Sequence, residues 1–219
     1  MKSKKQLLRT WKIYPVLDNR MFPEEEVFVA RFLELIDSPV DVIQLRLKDL
    51  KDGSRFRAVR KMVREAGKKD IPVIMNDRPE AALALGCWGV HLGKDDIPVS
   101  IARKILGGAA VIGRTVRDKK DLFAAGSQDY DYAAVGPVFY SPVKAGLEQI
   151  PFSAIREICR VSKKPVVAIG GINKDNVRAV MAEGIRTVAF MRYGVSGKNV
   201  KMEIEELRKT MSMEGRDRR

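Results

Sequence analysis

The chain is poor in the side chains that most often carry redox and transition-metal chemistry. Its 219 residues include two cysteines and one histidine. Cys87 and Cys159 lie far apart in apolar surroundings and without the spacing of a metal site, so we expect buried free thiols in a reducing compartment. The single histidine, His91, lies on an apolar strand candidate, where a packed or hydrogen-bonded residue is more common than a catalyst.

Long apolar runs and aromatic clusters are scarce as well. No apolar run approaches bilayer length, and the basic N-terminus is not followed by the apolar segment of a signal peptide. We therefore expect a soluble cytoplasmic protein with no membrane contact. Aromatic residues form 7% of the chain and do not alternate with basic residues, which argues against a nucleic-acid partner.

Positive charge, by contrast, is abundant. Lysine and arginine number 41 against 28 acidic residues, which gives a net charge of +13. This balance favours anionic partners, and we expect phosphorylated small molecules. Part of the charge lies in residues 1–5 and 216–219, which we predict to be flexible basic tails. Because no linker or composition shift divides the chain, residues 1–219 are predicted to form a single domain.

Short apolar runs alternate with amphipathic stretches along the whole chain. Eight strand–helix units of this kind indicate a parallel sheet that is buried on both faces. A closed (β/α)8 TIM barrel of the α/β class accommodates them without an edge strand, over about residues 12–213. The open doubly wound sheet is the alternative. The predicted strands are Lys12–Leu17, Val42–Leu45, Val73–Met75, Gly89–His91, Ala110–Ile112, Tyr132–Val135, Val166–Ile169 and Thr187–Phe190.

The predicted helices lie between these strands and carry start and stop signals. Asp118 and Ser153 are candidate N-caps, and Gly67, Gly107 and Gly184 follow periodic segments as C-terminal stops. The predicted helices are Glu25–Ile36, Arg55–Ala66, Ser100–Leu106, Asp118–Ala125, Ser153–Val161, Asn173–Ala182 and Val200–Met211.

Acidic residues follow two neighbouring strands of the predicted barrel, at the end where such barrels carry their chemistry. Asn76 and Asp77 come after the third strand, and Asp96 comes after the fourth. Two carboxylates in these places can meet and hold Mg²⁺, whose remaining ligands would be phosphate and water. The alternative is that both are helix caps or loop acids. Asp18, after the first strand, is predicted to be a loop cap.

Basic and polar residues follow other strands. Alternation puts Gln44, Arg46 and Lys48 on one face of the second strand, where an arginine fork and a lysine suit phosphate oxygens. Lys144 lies in an unusually long loop after the sixth strand, from which it can swing onto an anion. Thr115, after the fifth strand, either donates its hydroxyl to a phosphate or caps a helix.

A second anion site is predicted after the last two strands. Gly170 and Gly171 open a predicted helix and expose backbone N–H groups, and Arg192 can meet the same phosphate. Two separate anion sites imply two phosphorylated substrates, or one substrate with phosphates at both ends.

These motifs, in this order, resemble the family of thiamine-phosphate synthase (thiamine-phosphate pyrophosphorylase) and its thiazole tautomerase relatives. The resemblance runs from about Tyr14 to Val195. The motifs that carry it are Gln44-x-Arg46-x-Lys48, Asn76-Asp77-Arg78, the segment from Gly89 to Asp96, Asp131-Tyr132 with the segment from Gly136 to Phe139, Lys144, and the segment from Ala168 to Ile172.

The resemblance implies a (β/α)8 barrel and a Mg²⁺-dependent transferase of thiamine biosynthesis. Such an enzyme joins 4-amino-2-methyl-5-hydroxymethylpyrimidine diphosphate to a thiazole phosphate by a dissociative route and releases pyrophosphate. It implies Asp77 and Asp96 as metal ligands and Lys144 and Thr115 as catalytic residues. The resemblance implies that Gln44, Arg46, Lys48, Asn76 and Lys144 bind the pyrimidine diphosphate and that Gly171 contacts the thiazole phosphate. From their positions in the sequence, Thr115, Ser141 and Arg192 are also predicted to bind substrate. A homodimer is one assembly that we consider for the protein.

The chain departs from the family pattern mainly on the acceptor side. Thr115 replaces a serine, Ser141 keeps a hydroxyl, and Val143 loses one. Arg192 stands where the family usually has a small hydroxyl residue. These changes leave open a transferase with another acceptor.

Two further alternatives have less support in the sequence. The tautomerases use a histidine after the fifth strand, where this chain has Arg117, and they generally lack the motif Asp95-Asp96 that is present here. The remaining alternative is a non-catalytic barrel that binds anions or nucleic acid.

Overall fold

The computed structural model describes residues 4–48, 53–126, 129–140 and 148–213. Eight parallel strands form one closed barrel in chain order, so the predicted (β/α)8 fold is confirmed and the open sheet is wrong. The first and last strands close the ring, with Ile13 opposite Val188. The strands are β1 (Ile13–Asp18), β2 (Ile43–Arg46), β3 (Val73–Asn76), β4 (Gly89–Leu92), β5 (Val111–Val116), β6 (Tyr132–Val135), β7 (Val166–Ile169) and β8 (Thr187–Phe190).

Helices follow the strands around the outside of the barrel. In the described part of the chain they are α1 (Lys4–Leu8), α2 (Glu25–Ile36), α3 (Gly53–Lys68), α4 (Pro79–Leu85), α5 (Val99–Leu106), α6 (Lys119–Gly126), α7 (Phe152–Val161), α8 (Val177–Ala182) and α9 (Val200–Met213). None of these described helices is long and apolar enough to cross a membrane.

Two helices were absent from the sequence prediction. α1 begins at Lys4, within the segment that was predicted to be a tail, and Leu8 at its end is buried. α4 is only seven residues long, so it has too few turns to show a clear helical period.

The predicted helix signals are partly confirmed. Asp118 caps α6, because its Oδ1 accepts a hydrogen bond from the backbone N–H of Asp121 at 2.7 Å. Ser153 is not a cap, since α7 already begins at Phe152 and its N-cap position is Pro151. Gly107 follows α5 as a stop.

The core has two layers, one between strands and helices and one inside the barrel. The inner layer packs Trp11 against Tyr14 and Tyr132, with ring centroids 5.8 and 6.1 Å apart. These large rings fill the lower part of the barrel, below the polar side chains of its C-terminal mouth. Cys87 and Cys159 are free and partly buried, as predicted, and burial raises the pKa of the Cys87 thiol to about 12.

Candidate active site

The centre of the barrel mouth contains a cavity of about 170 Å³. Parallel pairing places Asp18 of β1 opposite Arg46 of β2 and Asn76 of β3 opposite His91 of β4, so the polar strand ends share one rim. The cavity is lined by five of the predicted site residues, which are Gln44, Arg46, Asn76, Asp77 and Thr115.

The two predicted metal ligands, Asp77 and Asp96, meet at this rim through a hydrogen bond between their carboxyl groups. Lys48 Nζ lies 2.5 Å from Asp77 Oδ2, and the Gly93 N–H donates to Asp96 Oδ2 at 2.6 Å. Burial and the neighbouring Asp77 raise the pKa of Asp96. Burial alone would raise the pKa of Asp77 too, but the hydrogen bonds from Asp96 and Lys48 lower it. The two carboxyl groups therefore influence each other, with the pKa of Asp77 lowered and that of Asp96 raised.

The alternative of helix capping is wrong for both acids. The N-cap position of α4 is Arg78, that of α5 is Pro98, and neither helix has a side-chain cap. Asp77 also adopts a left-handed backbone conformation with φ of 63°, held by a hydrogen bond from its N–H to the His91 carbonyl at 2.8 Å. A non-glycine residue in this region is uncommon, and such conformations concentrate at functional sites.

Two touching carboxylates suit a hard divalent cation that takes only oxygen ligands. The described residues contain no cluster of three or more His, Cys, Asp or Glu side chains of the kind that encloses a metal by itself. The acidic pair therefore fits Mg²⁺, which commonly uses one or two carboxylates and completes its shell with phosphate and water.

Arg46 is held at the rim by Asp18, whose side chain is 1% exposed. Asp18 also receives hydrogen bonds from Arg20, through the backbone N–H at 2.9 Å and through Nη2 at 3.2 Å. Burial raises the pKa of Asp18, but the hydrogen bonds from Arg20 and the charge of Arg46 outweigh that effect and lower it. Asp18 is a loop cap, as predicted, and it also orients Arg46.

A second cavity of about 430 Å³ lies beside the first, and both are lined by Ile169 and Met191. Its lining includes Gly171 and Arg192, which the sequence predicted to bind an anion. Gly171 has φ of 63°, and a Cβ there would lie 2.6 Å from the Tyr140 carbonyl oxygen. Only glycine thus lets the turn after β7 adopt this conformation beneath the segment that follows β6.

The helix that the glycine pair was predicted to open begins later, at Val177. Asn173 and Asn176 form a turn before it, in which Asn173 Oδ1 accepts from the N–H of Asp175 at 2.8 Å. The Asn173 N–H donates to Asn176 Oδ1 at 2.9 Å. The candidate anion cradle is therefore the turn at Gly170–Gly171 and not the first turn of α8.

Three residues singled out in the sequence, Ser141, Val143 and Lys144, belong to residues 141–147, which are outside the described part of the chain. Arg117 is turned outward, where its guanidinium donates to the Glu148 carbonyl at 2.9 Å.

Sequence reasoning missed two tyrosines and one asparagine of the site. Tyr14 lines the first cavity. Its hydroxyl group lies 2.9 Å from that of Tyr132. Asn19 is buried and accepts the Lys48 backbone N–H at 3.1 Å. The signal that was available is alternation, which puts Tyr14 on the same strand face as Asp18.

Comparison with known proteins identifies the family of the chain. The model of the family described as thiamine monophosphate synthase matches residues 13–193. The thiamine-phosphate synthase of Persephonella marina is 32% identical over 199 residues, which cover 91% of this chain and 95% of the relative. That of Caldanaerobacter subterraneus subsp. tengcongensis is 34% identical over 193 residues, covering 86% and 90%.

A solved structure extends the agreement to three dimensions. The thiamine phosphate pyrophosphorylase from Pyrococcus furiosus superimposes with a TM-score of 0.82 at 30% sequence identity, over 95% of this chain and 98% of that one. With a family model over most of the chain and relatives of this identity and coverage, the chain belongs to the thiamine monophosphate synthase family.

Proposed function

We propose that the protein joins 4-amino-2-methyl-5-hydroxymethylpyrimidine diphosphate to a thiazole phosphate and releases pyrophosphate. The observation that carries the proposal is the contact between Asp77 and Asp96 beside Lys48 at the barrel mouth. A carboxylate pair flanked by cations suits a leaving diphosphate with a divalent cation between the anions. Asp77 and Asp96 would hold Mg²⁺, which would neutralise charge on the leaving group.

The residues of the first cavity would bind the pyrimidine diphosphate. Arg46 uses one side of its guanidinium for Asp18, and its other N–H groups remain for phosphate oxygens. Lys48 pairs with Asp77 in the free protein, so a cation on the acids would release its ammonium group for the diphosphate. Gln44, Asn76 and Thr115 would orient the pyrimidine end, and Ser141 and Lys144 would cover the diphosphate.

The reaction needs only two bond changes. The bond between the pyrimidine methylene carbon and the diphosphate oxygen breaks, and diphosphate keeps the electron pair. The thiazole nitrogen then donates its lone pair to the methylene cation to form the new carbon–nitrogen bond. Positioned cations contribute by stabilising the charge that develops on the leaving group.

The second cavity would hold the acceptor phosphate on the turn at Gly171, with Arg192 beside it. Arg192 forms no ion pair among the described residues, and its side chain lies at the rim of this cavity. A guanidinium without an ion pair in the described part of the chain favours an anionic acceptor there. It also supports a second candidate function, the same transfer to an acceptor with more negative charge than a monophosphate.

A direct assay tests the main proposal. We expect the purified protein with Mg²⁺ and both substrates to release pyrophosphate and to form thiamine phosphate. Asp96→Asn should reduce turnover by about a hundredfold or more, because a bound cation loses a charged ligand. Its stability should be unchanged or higher, because an asparagine amide can donate to Asp77 without a second ionisable group in the site. Thermal melting and pyrophosphate release give the two readings.

Asp95→Asn is the matched control, since Asp95 is adjacent, exposed and outside the acidic pair. Equal losses in Asp95→Asn and Asp96→Asn would contradict the proposed metal seat. Binding of the pyrimidine diphosphate without product from the thiazole phosphate would reject the native acceptor and favour the second candidate.

We also propose a cytoplasmic protein whose ligands are phosphorylated small molecules and which has no nucleic-acid partner. A steep salt dependence of binding to many unrelated oligonucleotides would contradict the last point. A homodimer is a further proposal, which light scattering at several protein concentrations tests.

A further inference from the structure

A chain of hydrogen bonds crosses the barrel just below the first cavity, from β2 to β5. Gln44 Nε2 lies 3.0 Å from the Tyr14 hydroxyl, which lies 2.9 Å from the Tyr132 hydroxyl. The Tyr132 hydroxyl lies 3.1 Å from His91 Nδ1, and His91 Nε2 lies 3.1 Å from Thr115 Oγ1. Both ends of this chain line the cavity.

The direction of the hydrogen bonds follows from the Gln44 end. An amide nitrogen can only donate, so Gln44 Nε2 donates to the Tyr14 hydroxyl. Either hydroxyl could be the donor between Tyr14 and Tyr132, but Tyr14 is buried, and Tyr132 is the remaining partner for its hydrogen in the described part of the chain. We therefore take Tyr14 as the donor. By the same argument the buried Tyr132 hydroxyl donates to His91 Nδ1.

The same logic continues to the cavity. With Nδ1 as the acceptor, the ring hydrogen is on Nε2, from which it is donated to Thr115 Oγ1. The Thr115 hydroxyl hydrogen is then left for an acceptor that enters the cavity, which Thr115 lines. At the opposite end, Gln44 has its nitrogen engaged and presents its carbonyl oxygen.

Burial favours hydrogen on both tyrosine hydroxyl groups of this chain. Tyr14 and Tyr132 are almost fully buried, and burial raises the pKa of both hydroxyl groups, so each keeps its one hydrogen near neutral pH. The His91 ring stacks on the Tyr132 ring with centroids 5.7 Å apart. Gly113 leaves the room for them, since a Cβ there would lie 2.1 Å from Tyr132 Cζ and 2.6 Å from His91 Nδ1.

We propose that Tyr14 and Tyr132 are positioning residues that hold His91 in its Nε2–H tautomer and thereby aim the Thr115 hydroxyl hydrogen into the cavity. The role of this arrangement in binding the substrate rests on the proposed function. The cavity then offers an acceptor at Gln44 and a donor at Thr115, on opposite walls. Such a pair matches a substrate with an amino group at one end and anionic oxygens at the other.

The single histidine of the chain makes the test unambiguous. Two-bond ¹H–¹⁵N correlation spectra of protein labelled at histidine report which ring nitrogen carries hydrogen. We expect Nε2–H in the free wild-type protein. In Tyr14→Phe and Tyr132→Phe, the preference should fall by about fivefold to tenfold, the value of one net hydrogen bond, and both tautomers should be seen.

Tyr130→Phe is the matched control. Tyr130 is also buried and lies two residues before Tyr132, but it packs under Lys164, 3.5 Å from the Lys164 ammonium nitrogen to the ring centroid, and is not part of the chain. It should keep the wild-type spectrum and activity. Where substrate turnover is measured, Tyr14→Phe should lower kcat by about threefold to tenfold with a smaller change in the KM for the acceptor.

Three results would overturn the proposal. They are an Nδ1–H tautomer in the wild-type protein, hydrogen on both ring nitrogens, and a wild-type spectrum in both folded phenylalanine variants. The spectrum does not depend on turnover. An Nε2–H tautomer in a protein without synthase activity would therefore reject the proposed function and leave the role of the tyrosines intact.

Discussion

Asp18 shows how one buried carboxylate organises the diphosphate side of the site. It accepts hydrogen bonds from Arg20 and forms an ion pair with Arg46. The next residue, Asn19, accepts the backbone N–H of Lys48. The loop after β1 therefore orients the two basic residues that are proposed to meet the diphosphate, although it need not contact the substrate itself.

Asp18→Asn is predicted to destabilise the protein by about 2 kcal/mol at pH 7, because it removes a buried acceptor of charged donors. The pKa of Asp18 is lower in the folded protein than its usual 3.8, so its contribution is present above that value and is lost as the pH falls through the lowered pKa. Urea unfolding at pH 7 and near pH 3 checks this, and the difference between variant and wild type should shrink at the lower pH.

The control is Asp37→Asn. The Asp37 carboxylate forms an ion pair with Lys69, and the Asp37 side chain is 63% exposed. Exposed pairs contribute about 0–1 kcal/mol. A loss as large as that of Asp18→Asn would show that burial is not the cause.

At the scale of the elements, glycine sets how closely β4 and β5 approach. A Cβ at Gly89 would lie 1.7 Å from the Val111 carbonyl oxygen, which belongs to the backbone and cannot turn away. Gly113 on β5 makes the corresponding room for the tyrosine and histidine rings. The same two strands deliver His91 and Thr115, so their spacing positions the site.

Gly89→Ala is predicted to destabilise the protein by about 3 kcal/mol or more, since the strand must move or the side chain must overlap the backbone. Gly67→Ala is the control, because no atom lies within 4 Å of its added Cβ and its φ is not in the left-handed region. That variant should be unchanged or more stable by about 0.5 kcal/mol. Urea midpoints give the comparison, and equal midpoints for the two variants would contradict the argument.

For the whole molecule, the two ends of the barrel have different tasks. The C-terminal mouth contains both cavities of the candidate site, with its buried polar contacts and a strained residue at Asp77. The opposite end is closed by Leu8 and Trp11, and the Trp11 carbonyl accepts the Thr187 hydroxyl at 2.7 Å. In this fold the C-terminal end of the barrel usually carries the chemistry, and the opposite end contributes to stability.

Leu8→Ala is therefore predicted to cost about 2–4 kcal/mol of stability while leaving kcat unchanged at a temperature where the protein is folded. Leu83→Ala is the control, because Leu83 is 58% exposed and should change stability by less than about 1 kcal/mol. Thermal melting and the pyrophosphate assay measure the two quantities. A selective loss of kcat in folded Leu8→Ala would show that the lower end also takes part in function.

The sequence predicted the strands well because short apolar, β-branched runs between polar segments are typical of the buried strands of a parallel sheet. The predicted β6, β7 and β8 agree with the structure residue for residue. The short helix α4 and the helix at Lys4–Leu8 were missed, because a segment of one or two turns gives too little periodicity.

The sequence by itself determined the barrel, the acidic residues after β3 and β4 and the basic residues after β2, since strand order and side-chain alternation place them at one mouth. Only the tertiary structure decided how they pair. It joined Asp77 to Asp96 and Arg46 to Asp18, and it linked Gln44 to Thr115 through two tyrosines and a histidine. These contacts depend on closing the ring, which brings side chains from distant parts of the chain within hydrogen-bond distance, and no local pattern encodes that distance.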